Sequence, residues 1–153
     1  MNQLELKVPP VVLLLIIALM MWGTADLFMS FSFSFFASSF VALLIAFSGV
    51  MFALLGVYQF RKQGTTVDPR IPEKSASLVT SGVYLISRNP MYVGMLLMLV
   101  GWGIYLGNIA SFIMLPVFIL YMNRFQIMPE ETFMAEKFGL AYQQYQKSVR
   151  RWL

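Results

Sequence analysis

The stretch "SGVYLISRNPMYVGMLLMLVGWGIYLGN", Ser81 to Asn108, holds a polar start, an apolar run and a turn. Asn89 is a good N-cap, and Pro90 suits the first helical position, where its missing N–H would be unpaired anyway. From there to Leu106 the chain carries no charge. Gly107-Asn108 then reads as a tight turn. The next segment, Ile109 to about Met128, is again apolar with Pro116 inside it. The two segments form a short helical hairpin, with a kink expected at Pro116.

The rest of the chain agrees with a membrane solvent. Of 153 residues, 59% are hydrophobic and only 12% are charged, about half the charge of a soluble domain. Mean hydropathy is +0.72. Val8–Phe28 is a first span of about 20 residues, the length that crosses ~30 Å of hydrocarbon at ~1.5 Å per residue. It is read as a retained helix rather than a signal peptide, because its leading "MNQLELK" has one lysine offset by Glu5. "MSFSFSFFASS" reads as an interfacial loop with aromatic anchors, since an isolated strand in lipid leaves its backbone unpaired. Phe40–Phe60 is a second span, and Gly49 and Gly56, seven apart on one face, permit close helix contact. The expected architecture is all-α: two N-terminal spans in 1–60, a polar loop over 61–88, the hairpin over 89–128 and an amphipathic C-terminal helix over 129–153. Phe138, Tyr142 and Tyr145 form an aromatic stripe on that helix, placed to lie on the membrane interface or pack on the loop.

Charge sets the expected orientation. With four spans, the N-terminus, the 61–88 loop and the C-terminus share one side. All eleven Lys and Arg, among them Lys7, Arg61, Lys62, Arg70, Lys74, Arg88 and Arg124, lie on that side or at its boundary. The positive-inside rule makes it cytoplasmic, which suits an inner (cytoplasmic) membrane. The net charge of +4 then reads as topology and attraction to membrane lipids, not as nucleic-acid binding. The chain has no cysteine and no histidine. Disulfides and thiolate metal sites are excluded, and the commonest general base and metal ligand are missing. No metal site is expected.

Two constellations lie at the charged boundary. At the first, free N–H groups at the start of the third span, beside Arg88, would attract an anionic group. The bland alternative is a well-made helix start with Arg88 reaching lipid phosphate. At the second, Arg124 precedes Pro129-Glu130-Glu131. Pro129 suits a helix start, and acids in the first turn favour the helix dipole. Together they would make a pocket with an anion site and an acidic site, suited to a zwitterionic ligand.

The residues Leu78 to Gly94 fit the pattern L-V-x-x-G-x-Y-x-x-x-R-H-P-x-Y-x-G, apart from Asn89 in the histidine position. The Glu130-Glu131 pair is followed by F-G-x-x-Y-x-x-Y-x-x-x-V-x-R, from Phe138 to Arg151. From about Thr65 to Leu153 the chain resembles the isoprenylcysteine carboxyl methyltransferase and phospholipid methyltransferase superfamily, while residues 1–60 match only as hydrophobic spans. The resemblance implies S-adenosylmethionine held at the cytoplasmic boundary by Ser77, Leu78, Val79, Tyr84, Asn89, Pro90, Met91, Tyr92 and Glu130. It implies a substrate role for an arginine near Arg124, two residues out of register. With no histidine, Glu131, Glu130 or a tyrosine would have to serve as base if the acceptor were an amine. Asparagine can cap and hydrogen-bond but cannot titrate. The expected activity is methyl transfer to a lipidic or amphiphilic acceptor. A carboxylate is favoured because it needs no base. Phospholipid amine methylation and a non-catalytic scaffold are the alternatives.

Overall fold

A computed structural model describes residues 5–35, 38–64 and 77–153. The central part of the polar loop, with Arg70, Lys74, Pro69 and Pro72, lies outside the described residues. Five α-helices follow one another: α1 (Pro10–Leu27), α2 (Ser38–Lys62), α3 (Pro90–Leu106), α4 (Met114–Tyr121) and α5 (Met128–Ser148). Among the described residues the only β feature is an isolated bridge between Ser32 and Asn108. Three helical runs are long and apolar enough to cross a membrane: α1, α2 and the continuous run Ile109–Ser148. The apolar part of the last, 109–128, is the fourth span. The third span, α3, has 17 residues, about 25 Å of helix.

α3 packs against α2 backbone to backbone. Gly49 faces Gly94, and a Cβ on Gly101 would sit 2.7 Å from the Ala42 carbonyl oxygen. The expected glycine face of α2 thus meets a matching one on α3, also with a spacing of seven. Such contact maximises dispersion where lipid supplies no hydrophobic drive between helices. On the other face of α3, Leu99 and Tyr92 join Leu13, Ile17 and Met21 of α1 with Phe118, Met122 and Ile127 in the main apolar cluster.

The far end of the bundle is tied by Asn108. Its side-chain amide donates to the Ala25 and Phe28 carbonyls (3.2 and 2.7 Å), at the end of α1 where carbonyls lack intrahelical partners. Gly107 adopts φ 60°. A side chain there would be strained and would press on the Phe33 carbonyl. The predicted tight turn is therefore present and buried.

Three expectations about the helices change. Pro116 sits third in α4, just after a 3-10 turn over Ile109–Ile113, so the hairpin has no mid-span proline kink. Pro129 does not begin a helix: α4 continues through a π turn (Met122–Ile127) into α5, so Glu130 and Glu131 sit within a continuous helical run. Proline lacks the N–H that would reach the carbonyl four residues back, at Phe125. The N–H of Leu6, a residue at φ 59°, donates to that oxygen instead (3.0 Å). Third, the terminal helix is broken at Gly139 (φ 52°, ψ −124°) and ends at Ser148. Its aromatic stripe packs on the loop: Tyr142, Tyr145 and Phe138 gather with Val79, Tyr84, Val149 and Phe60.

Gly94→Leu or Gly101→Leu should lower stability by at least ~1–3 kcal/mol, because the intruding atoms meet backbone that cannot yield. Nothing lies within 4 Å of a Cβ at Gly23 in α1, so Gly23→Ala should be neutral or raise stability by ~0.5–1 kcal/mol. Thermal unfolding of the purified protein in detergent checks both.

Candidate functional site

The start of α3, the π turn and the start of α5 converge at one end of the bundle. Tyr92, in the first turn of α3, donates its hydroxyl to Glu130 Oε1 (2.7 Å). Gln126, one π turn before, donates Nε2 to the same oxygen (2.7 Å). Both bonds land on Oε1, which leaves Oε2 as the carboxylate oxygen for a ligand. Gln126 is 2% exposed. It escaped the sequence reading, although a buried amide four residues before an acid on a helix is a signal in itself.

Glu131 faces a different set of partners. Arg88 Nη2 reaches its Oε1 (2.7 Å), and Arg151 reaches Oε1 through Nε (3.1 Å) and Oε2 through Nη2 (2.6 Å). The Arg88 and Glu131 side chains are only 11% and 12% exposed, so their charges depend on one another. Two adjacent acids therefore have separate work: one holds arginines, the other faces tyrosine and amide.

Asn89 stands at the N-cap position of α3, but its side chain does not cap the helix. It donates Nδ2 to the Arg151 carbonyl instead (2.9 Å), while its backbone N–H goes to Ser87 Oγ (3.0 Å). Pro90 is buried in the first turn as expected, and Met91 packs beside Gly56. Val79 and Tyr84 belong to the aromatic cluster, where Tyr145 donates its hydroxyl to the Tyr84 carbonyl (2.7 Å). Leu78 packs at the edge of that cluster, and Ser77 Oγ bonds the Gln63 carbonyl (3.4 Å). Arg124 is not brought into the cluster. Its side chain is 47% exposed and paired with Glu5 (3.0 Å).

Among the described residues, two buried donors lack partners: the Tyr84 hydroxyl and Arg88 Nε. Buried polar groups are nearly always paired, so these invite an acceptor. Burial holds the Tyr84 phenol far above its ordinary range, and it remains a neutral donor. Burial also pushes the Glu130 carboxyl up to about 8 from 4.5, against the bonds from Tyr92 and Gln126, which lower it. An enclosed carboxyl with an unused oxygen is complementary to a cation, and the unpaired donors are complementary to hydrogen-bond acceptors.

The folded chain holds the Glu130 proton more tightly than the unfolded chain does. The stability this confers is full below pH 4.5 and is lost as pH rises through about 8. The slope is at most roughly 1.4 kcal/mol per pH unit. With no histidine or cysteine in the chain, few other groups change charge in that window. The unfolding temperature of the ligand-free protein should therefore fall between pH 5 and pH 8, and Glu130→Gln should flatten that part of the profile.

Several known proteins are similar to this chain. An uncharacterised protein of Haemophilus influenzae is 46% identical over 63 residues, which is 41% of this chain and all of that protein. The protein-S-isoprenylcysteine O-methyltransferase of Schizosaccharomyces pombe is 34% identical over 76 residues, 50% of this chain and 32% of that protein. A probable protein-S-isoprenylcysteine O-methyltransferase of Oryza sativa subsp. indica is 32% identical over 114 residues, 72% of this chain and 58% of that protein. The chain thus spans between a third and somewhat over half of the length of these two methyltransferases. No solved structure gives a significant match. The sequence model of the phospholipid methyltransferase family matches residues 37–141, from the start of α2 through the Glu pair to the aromatic stripe of α5. That match covers more than half of the sequence, and this integral membrane protein belongs to the phospholipid methyltransferase family.

Proposed function

We propose that the protein transfers a methyl group from S-adenosylmethionine to a lipidic or amphiphilic acceptor that ends in a carboxylate. The observation that carries the acceptor class is that Glu131 is committed to Arg88 and Arg151 in a chain without histidine. A carboxylate is already a nucleophile at neutral pH and needs no base. When bound, S-adenosylmethionine would supply a methyl on a sulfonium: the acceptor oxygen forms the O–CH3 bond, the C–S bond breaks, and its electron pair stays on sulfur.

The residues present fit that donor. Glu130 Oε2 would take the cation, while the unpaired Tyr84 hydroxyl and Arg88 Nε would offer hydrogen bonds to carboxylate, ribose or adenine acceptors. Tyr92 and Gln126 hold the Glu130 carboxyl in place, so its position is fixed before the ligand arrives. The low-dielectric surroundings strengthen attraction between carboxylate and sulfonium and favour a step in which opposite charges vanish. Much of the remaining rate advantage is orientation.

A second reading, methylation of a phospholipid amine, is supported by Glu130 itself. A carboxyl poised at about 8 is matched to accept a proton from an ammonium near neutral pH. Product chemistry separates the two: a base-labile methyl ester from an S-prenylcysteine acceptor, or a base-stable N-methyl group on phosphatidylethanolamine. Failure of the purified protein to bind S-adenosylmethionine at millimolar concentration supports a non-catalytic scaffold instead.

The site side is proposed to face the cytoplasm, on the strength of the one-sided Lys and Arg distribution. The chain has no native cysteine, so single cysteines report cleanly. One at Ser30, exposed after α1, should react with an impermeant reagent in intact cells. One at Ser81, exposed before α3, should not. Reversed labelling overturns the orientation.

The two acids should behave differently on substitution. Glu130→Gln should weaken S-adenosylmethionine binding about tenfold or more, because a charge-assisted hydrogen bond is worth ~1.5–3 kcal/mol. Glu131→Gln should cost about 3 kcal/mol of stability, since it strands two partly buried guanidinium groups, and should weaken binding less than Glu130→Gln. Isothermal titration and thermal unfolding on each variant measure the split. Equal small losses in binding would remove Glu130 from the site.

A further inference from the structure

The last residues leave the helix and return to the site. Val149 is extended (φ −129°, ψ 136°), and the chain runs back along the loop before α3. The Arg88 N–H donates to the Arg150 carbonyl (3.0 Å). The Arg151 carbonyl accepts from Asn89 Nδ2 (2.9 Å) and Ser87 Oγ (3.3 Å). The Arg151 guanidinium makes two bonds to Glu131. Trp152 donates Nε1 to Asn123 Oδ1 in the π turn (3.0 Å) and packs on the main apolar cluster.

Each of these bonds ends on an element that carries a site residue. Asn89 lies three residues before Tyr92 on α3. Glu131 is the chain neighbour of Glu130 on α5. Asn123 belongs to the same π turn as Gln126. Arg151 thus holds both supports of the Tyr92–Glu130 bond, one through its carbonyl and one through its side chain. A π turn leaves the rotation of the following helix open to adjustment, and residues 130 and 131 point ~100° apart. Fixing Glu131 between two arginines therefore fixes where Glu130 points.

We propose that Arg151 is a positioning residue and that the terminal strap 149–153 completes the methyl-donor site, setting Tyr92 and Glu130 together through Asn89 and Glu131. This rests on the reading of the Tyr92–Glu130 cluster as the donor site. It also gives the side chain at position 89 a definite role, the donation of one hydrogen bond to a main-chain carbonyl. An amide fills that role without a titrating ring.

The test uses the full-length protein in nanodiscs with two readouts: amide hydrogen exchange without ligand, and titration with S-adenosylmethionine. Arg151→Ala should speed exchange over residues 88–93 about tenfold and leave residues 102–106, at the far end of α3, unchanged. It should weaken S-adenosylmethionine about tenfold. Arg151→Lys, with one donor group in place of a fork, should fall between the wild type and Arg151→Ala. Asn89→His should keep near-native affinity, whereas Asn89→Ala should lose about as much as Arg151→Ala. Combining Asn89→Ala with Arg151→Ala should bring little further loss, because the strap is released once. Wild-type affinity in Arg151→Ala, or faster exchange that extends equally to residues 102–106, overturns the positioning role. A wild-type protein that binds no S-adenosylmethionine overturns the proposed function and, with it, the donor side of this assignment.

Discussion

The Glu131 carboxylate accepts three hydrogen bonds from two guanidinium groups that come from distant parts of the chain. Arg88 precedes α3, Glu131 opens α5, and Arg151 lies beyond its end. One partly buried anion therefore closes the polar end of a bundle that is otherwise apolar. The two cations would carry a desolvation cost without it, and it would carry one without them, so none of the three is replaceable alone. The position of the neighbouring Glu130, and so the character of the site, follows from that closure.

Two other contacts hold the frame on which the closure acts. Backbone contact between α2 and α3 at Gly49, Gly94 and Gly101 sets the position of α3, and with it Tyr92. The π turn sets the register of α5. Its geometry coincides with Pro129, whose missing N–H frees the Phe125 carbonyl that Leu6 then pairs. In a membrane an unpaired carbonyl is costly. The N-terminal segment thereby becomes part of the structure around the site. Arg124 is drawn towards that segment by Glu5 and away from the Glu pair, so the side chain nearest in sequence to a substrate arginine is engaged elsewhere.

The absence of histidine shapes the chemistry more than any group that is present. Position 89 keeps a hydrogen-bond donor and discards a titrating ring, and the Arg151 carbonyl is what that donor serves. Among the groups of the candidate site, the Glu130 carboxyl is raised by burial to about 8. A carboxyl in that range is neutral in much of the free protein and becomes charged most readily when a cation arrives to share its site.

The all-helical architecture and the apolar runs that make its spans were legible in the chain because each depends on local composition. The start of α3 at Pro90 follows from a residue that suits the first turn, and its stop before Gly107 from a residue that takes a positive φ. The glycine spacing on α2 announced a close neighbour. The matching Gly94 and Gly101 lay inside the quoted stretch and pair with it only once both helices are placed. Arg151 and the strap were not legible as site components, because their partners lie 20 and about 60 residues away and no local pattern links them, whereas Gln126 stands four residues before Glu130 and only its burial marks it. Nor could sequence distinguish the two adjacent acids. Helix dipole and spacing treat Glu130 and Glu131 alike, and the assumption that Pro129 opens a helix strengthened that equality. Tertiary structure separated them by giving one acid two guanidinium partners and the other a buried phenol and amide, because solvation and ion pairing depend on what surrounds a side chain, not on its place in the chain.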